Sequence, residues 1–154
     1  MNTSMTRVWS VALAGVLSTG LVGCGSDDDG GIVISPTPST SAPTVTIVNP
    51  PSSVRFGQTA FFTVQVNAPG GVRSSQFLQI RIVDPNGQQF GSITSLNPNQ
   101  FGNNCVAGST FCTSSDLGFQ APSNGPSGFW TLTFTAFDQS NRSGASTVGI
   151  NVVP

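Results

Sequence analysis

A strict two-residue alternation constrains this sequence more than any other feature. Between Trp130 and Ala136, the apolar residues Trp130, Leu132, Phe134 and Ala136 are separated by Thr131, Thr133 and Thr135. Successive side chains of a β-strand point to opposite faces, whereas a helix groups residues three and four apart. The segment therefore predicts a strand with one buried and one wet face. The same period recurs along the chain. Thr44-Val45-Thr46-Ile47-Val48 alternates until Asn49-Pro50-Pro51 stops it. Ala60, Phe62, Val64 and Val66 share a face opposite Thr63, Gln65 and Asn67, and Leu78, Ile80 and Ile82 oppose Gln79 and Arg81. Leu117 and Phe119 mark a short strand, and Val148, Ile150 and Val152 the last one.

The breaks between these runs are turn chemistry. In Asp84-Pro85-Asn86-Gly87 the proline presets φ and the glycine tolerates a positive φ, which predicts a hairpin into a strand over Gln88–Leu96. Ala68-Pro69-Gly70-Gly71, Ala121-Pro122 and Asp138 through Gly144 supply the others. No helical stripe appears after the first 22 residues. Short strands between Gly/Pro turns predict an all-β antiparallel sandwich of seven to eight strands over residues 43–154. All eleven phenylalanines fall in that stretch, so its core is expected to be aromatic.

Composition narrows the chemistry. The chain contains no His, Lys, Glu or Tyr; its five basic residues are Arg and its six acidic residues are Asp. Those missing types carry most acid–base catalysis near neutral pH, and no His or Lys is present to activate a serine. The sequence therefore predicts no enzyme. A net charge of -1 offers no basic footprint, so no nucleic-acid partner is expected. Asp138-Gln139-Ser140-Asn141-Arg142-Ser143-Gly144 lacks the glycine and the bidentate glutamate of a calcium-binding EF-hand. Asp84, Asp116 and Asp138 read as turn and cap residues, and neither a metal nor a cofactor is expected.

The N-terminus carries a different signal. Arg7 precedes an apolar run from Val8 to Val22, shorter than the ~20 residues a spanning helix needs, and the start is either Met1 or Met5. The run ends in Leu21-Val22-Gly23-Cys24. This resembles the lipobox of bacterial lipoproteins. The resemblance implies a signal peptide over 1–23 and a lipidated Cys24 as the first mature residue. The membrane becomes a partner through the lipid anchor. Gly25 rather than Asp follows the cysteine, which implies the outer membrane, with the domain periplasmic or surface-facing, or the outer face of the cell membrane in a Gram-positive cell. Residues 24–42 are rich in Gly, Ser, Pro and Asp and read as a flexible tether.

The sandwich itself resembles the immunoglobulin-like and PKD-like modules of bacterial surface proteins. The matching pieces are Pro43 to Ile47, Gly57 to Val64, and above all Gly128-Phe129-Trp130-Thr131-Leu132-Thr133-Phe134-Thr135-Ala136-Phe137-Asp138. The long stretch from Asn97 to Ser115 departs from that pattern. The resemblance implies a non-catalytic module for adhesion or scaffolding, with a protein or glycan partner; the alternative is a carbohydrate- or small-ligand-binding lipoprotein. With Cys24 lipidated, Cys105 and Cys112 remain for a disulfide in an exported protein. A redox pair or half of a zinc site are rival readings, though the spacing is not Cys-x-x-Cys and no His is present. Phe90, Phe101 and Phe111 are the candidate partner-binding loop residues; the other reading has them fold back to plug the sandwich.

Overall fold

The computed structural model describes residues 41–154. The expected signal peptide, Cys24 and almost all of the expected tether lie outside the described residues. Among the described residues, eight strands form two facing sheets: β1 (Thr44–Val48), β2 (Ser53–Arg55), β3 (Thr59–Asn67), β4 (Leu78–Val83), β5 (Thr94–Leu96), β6 (Phe111–Gln120), β7 (Gly128–Phe137) and β8 (Ser143–Val153). One sheet has the order β1-β3-β6 and the other β2-β8-β7-β4-β5. This is an all-β, immunoglobulin-like sandwich, with consecutive strands distributed between the sheets. The expected antiparallel pairing holds except at one edge, where β2 runs parallel to β8 through Ser53↔Asn151, Val54↔Val152 and Arg55↔Val153. Asn49, at φ 45°, and the two prolines after it turn the chain out of one sheet and into the other.

The alternation read from the sequence is the alternation of the core. Phe62, Val64 and Val66 of β3 and Trp130, Leu132, Phe134 and Ala136 of β7 are all buried. Phe62 and Phe134 meet across the two sheets with ring centroids 6.1 Å apart, a tilted contact of the kind aromatic pairs prefer. On the outer face, the Thr133 and Thr147 hydroxyls lie 3.1 Å apart across β7 and β8.

Two strand predictions are corrected. The segment after the Asp84 turn is not a continuous strand over Gln88–Leu96; only Thr94–Leu96 pairs along β4. The turn forms as expected, with Asp84 Oδ1 accepting the Asn86 and Gln88 amides at 2.9 and 2.8 Å. An isolated bridge at Val83↔Gln89 then changes register before β5 begins, and the residues between bulge outward. The short strand expected around Leu117 and Phe119 is instead the C-terminal half of a ten-residue strand. The polar run Thr113 to Asp116 hid its first half. Finally, a single helical turn, α1 (Pro98–Phe101), sits in the long connection where no helix was expected.

Candidate functional site

The strand ends define two poles. At one pole lie the start of β1 and three loops: 68–77, 97–110 and 138–142. Backbone hydrogen bonds weld these loops together. Val72 donates to Ser109 and accepts from Gly108, both at 2.9 Å, Gln139 donates to Gly71 at 2.9 Å, and Ala68 donates to Thr110 at 2.8 Å. Asp138 sits at the centre, fully buried. Its carboxylate accepts the backbone amides of Ser140 and Arg142, each at 2.9 Å, and the Arg142 guanidinium at 2.7 Å. Burial pushes the Asp138 carboxyl up, but the Arg142 amide, the guanidinium's hydrogen bond and charge, and the Ser140 amide outweigh it. The group titrates below its ordinary value. Three hydrogen bonds from the turn itself engage both oxygens of the carboxylate. Arg73 lies 4.2 Å over the Phe137 ring and donates to the Gln76 carbonyl, fastening the same pole.

The disulfide braces this pole as well. Cys105 and Cys112 are bonded, with their Cα atoms 5.1 Å apart, and both are buried. The bond ties loop 97–110 to the first turnable residues of β6. Pro98 opens α1, the Gln100 side chain accepts the Asn97 amide at 2.9 Å, and Asn97 Oδ1 accepts the Gln76 amide at 2.8 Å. Beside the bridge lies an open cleft of about 320 Å³, lined by Ser74, Asn97, Asn99 and Val106 among others.

The opposite pole is built from loops 56–58, 84–93 and 121–127, and it is held mainly by aromatic packing. The Trp130 indole donates to the Pro126 carbonyl at 3.0 Å. Phe90 stands edge-on to Trp130 with centroids 5.1 Å apart, and Phe119 packs on its other side at 5.7 Å.

The three phenylalanines grouped in the sequence do not share a surface. Phe90 lies at the aromatic pole, edge-on to Trp130 and itself partly exposed. Phe101 is buried at the other pole, turned inward by α1 to meet Phe77 edge-on at 5.2 Å. Phe111 lies exposed on the outer face of β6. A buried Phe101 cannot present itself to a partner, so this residue is corrected from candidate contact to loop anchor. Exposed aromatics that sequence reasoning passed over are Phe61 and Phe129, 62% and 70% accessible. Their outward positions opposite Phe62 and Trp130 were legible in the alternation. No cluster of three potential metal ligands occurs among the described residues.

The two lateral edges of the sandwich also differ. At one, the chain passes from β1 to β2 and so stitches the sheets together. There Gly144 packs so closely on β1 that a Cβ would overlap the Pro43 carbonyl oxygen. At the other, β6 ends its sheet while β4 and β5 extend the facing one. Gly102 of loop 97–110 covers the first half of the β6 edge, since a Cβ on it would stand 2.6 Å from the Thr113 carbonyl oxygen. Beyond that point, from Ser115 to Gln120, no described strand pairs with the outer edge of β6. An apolar cleft of about 90 Å³ opens there between the sheets, lined by Phe62, Ile80, Ile82, Leu117 and Phe134.

No protein-family profile matches the chain, and no curated protein matches its sequence. Among solved structures, the sporulation control protein Spo0M from Bacillus subtilis is similar over 74% of this chain and 50% of its own, at 11% identity and a TM-score of 0.44. The chain thus spans half the length of that protein. A superoxide reductase (neelaredoxin) from Ignicoccus hospitalis is similar over 73% of this chain and 81% of its own, at 12% identity and a TM-score of 0.41. Likeness at this level carries no activity from either protein to this one.

Proposed function

We propose that the protein is a bacterial lipoprotein, anchored through Cys24, whose immunoglobulin-like domain is a non-catalytic binding module in the cell envelope. The observation that carries this reading is the cysteine count. The chain has three cysteines. The Cys105–Cys112 bridge uses two of them. The one left over stands in Leu21-Val22-Gly23-Cys24, where a lipobox requires it. The non-catalytic part rests on the missing His, Lys, Glu and Tyr and on the engagement of Asp138 by its own turn. The reading places the lipid in the outer membrane and leaves the domain free to meet a protein partner.

Detergent phase partitioning and intact mass of the protein from a bacterial host test it. The wild type is expected in the detergent phase with the mass of an acylated chain starting at residue 24. Cys24→Ser is expected in the aqueous phase. Equal partitioning of the two overturns the anchor. A second reading, a sugar- or small-ligand-binding lipoprotein, draws on the cleft beside the disulfide, whose Ser74, Asn97 and Asn99 side chains offer hydroxyl and amide groups. Saturable glycan binding lost in Asn99→Ala would favour it.

A further inference from the structure

We infer that the open lateral edge, the Ser115–Gln120 half of β6 with the apolar cleft beneath it, is an acceptor for an extended peptide strand of a partner protein. The inference deepens the binding-module reading and rests on it.

Three observations converge on this stretch. First, β6 is ten residues long and pairs with β3 on one side. Its other edge is covered by the disulfide-braced loop only as far as Gly102 reaches, at Thr113. An edge of this kind offers backbone donors and acceptors to an incoming strand. Second, the cleft lies directly under that edge. Its volume of about 90 Å³ is below that of an engineered cavity of about 150 Å³ that holds benzene, which suits one aliphatic side chain. A strand laid along β6 would place alternate side chains toward Ile80, Ile82 and Leu117, and the residues between them toward solvent. Third, Asp116 is the sole charge on β6. Asp84 is occupied by turn amides and Asp138 by Arg142. The Asp116 carboxylate, in contrast, accepts only the Ser115 hydroxyl among the described residues, at 3.2 Å. The register shift opposite Phe62 and Val64 carries Asp116 on the strand's exposed side. The incoming strand is therefore expected to carry a basic residue near an aliphatic one.

A second copy of this chain fits less well. Two β6 edges could pair, but the partner copy's Leu117 and Phe119 face its own core, so nothing would enter the cleft. Pairing would also bring two Asp116 carboxylates onto one short ladder.

The test uses the full chain carrying Cys24→Ser and the labelled peptide Ser-Thr-Arg-Ile-Thr-Ile-Arg-Thr-Ser, whose two Ile share one face and whose two Arg share the other. Fluorescence anisotropy is expected to show saturable binding. Replacing the central Thr by Pro, which removes a ladder donor, should abolish it. Replacing both Ile by Ser should weaken it by about tenfold or more. Replacing both Arg by Asp should weaken it by about threefold, and Asp116→Lys should reverse that preference. Amide shifts in NMR spectra should map to residues 115–120 and to Ile80 and Ile82. Equal binding of the Pro peptide, no saturation, or shifts confined to other surfaces overturns the inference. So does a concentration-dependent dimer with the same shifts, which assigns the edge to a second copy. None of these readouts involves the lipid, so failure here and failure of the anchor are separate results.

Discussion

The two poles of the sandwich are closed by opposite chemistries. One is held by a buried Asp138–Arg142 pair, a disulfide and a lattice of backbone hydrogen bonds between loops. The other is held by Trp130 between Phe90 and Phe119. Polar closure fixes loops in one geometry, because each hydrogen bond is directional and each unsatisfied group is costly. Aromatic closure is less directional and depends on area removed from water. The difference teaches where the molecule responds to its surroundings. Acid and reductant act on the first pole, whereas loss of packing volume acts on the second.

The sharpest way to break the contrast is to remove the aromatic plug. Trp130→Ala is expected to cost about 3–5 kcal/mol, read as a fall in the denaturant midpoint. Asp138→Ala should follow at about 3 kcal/mol, since it leaves the Ser140 and Arg142 amides and a guanidinium without their acceptor. Hydrogen exchange should localise that loss to loops 68–77 and 138–142. Loss of the bridge in a Cys105→Ala/Cys112→Ala chain should cost about 2–3 kcal/mol and should leave exchange around Trp130 unchanged. Phe90→Ala is expected to cost about 1 kcal/mol, because its ring is 42% accessible and only its edge contact is lost.

Acid sharpens the contrast further. Asp138 binds its proton less readily in the folded chain than its ordinary carboxyl would. Its contribution is therefore fully present above about pH 3.9, the unperturbed carboxyl value, and is lost as pH falls through the lower folded value. Urea midpoints measured between pH 5 and pH 2 should fall less steeply in Asp138→Asn than in the wild type. An unchanged slope would show that another group carries the acid response.

Legibility in the sequence followed the same division. The aromatic pole could be read because period-two patterning places Trp130 inward and the Asp84-Pro85-Asn86-Gly87 turn has its own local chemistry, with Gly87 at φ 79°. The braced pole could be read only in part. Asp138 was recognisable as a turn residue, but its burial depends on Val72 bridging to it from a distant loop. Phe101 gave no inward signal, because one helical turn is too short to show a period. The parallel β2 strand was hidden for a related reason: three residues between prolines and a glycine turn carry no pattern, and their pairing is decided by β8 nearly a hundred residues later. In the first half of β6 one exposed residue is Phe111 and one buried residue is Ser114, the reverse of an apolar-in alternation, so its strand character comes from pairing with β3 rather than from hydrophobicity.

The parallel pair at the sealed edge has a mechanical consequence. Thr44 enters at the braced pole, while β2 and β8 both run toward the aromatic pole, where Val153 leaves the sheet. Tension applied between the two ends of the domain draws β2 and β8 in opposite directions along their shared axis. Their hydrogen bonds are then loaded together as a shear rather than opened one after another. Resistance to pulling is a matter of unfolding rate rather than equilibrium stability. A strand of only three residues can thus set the force at which the whole module gives way.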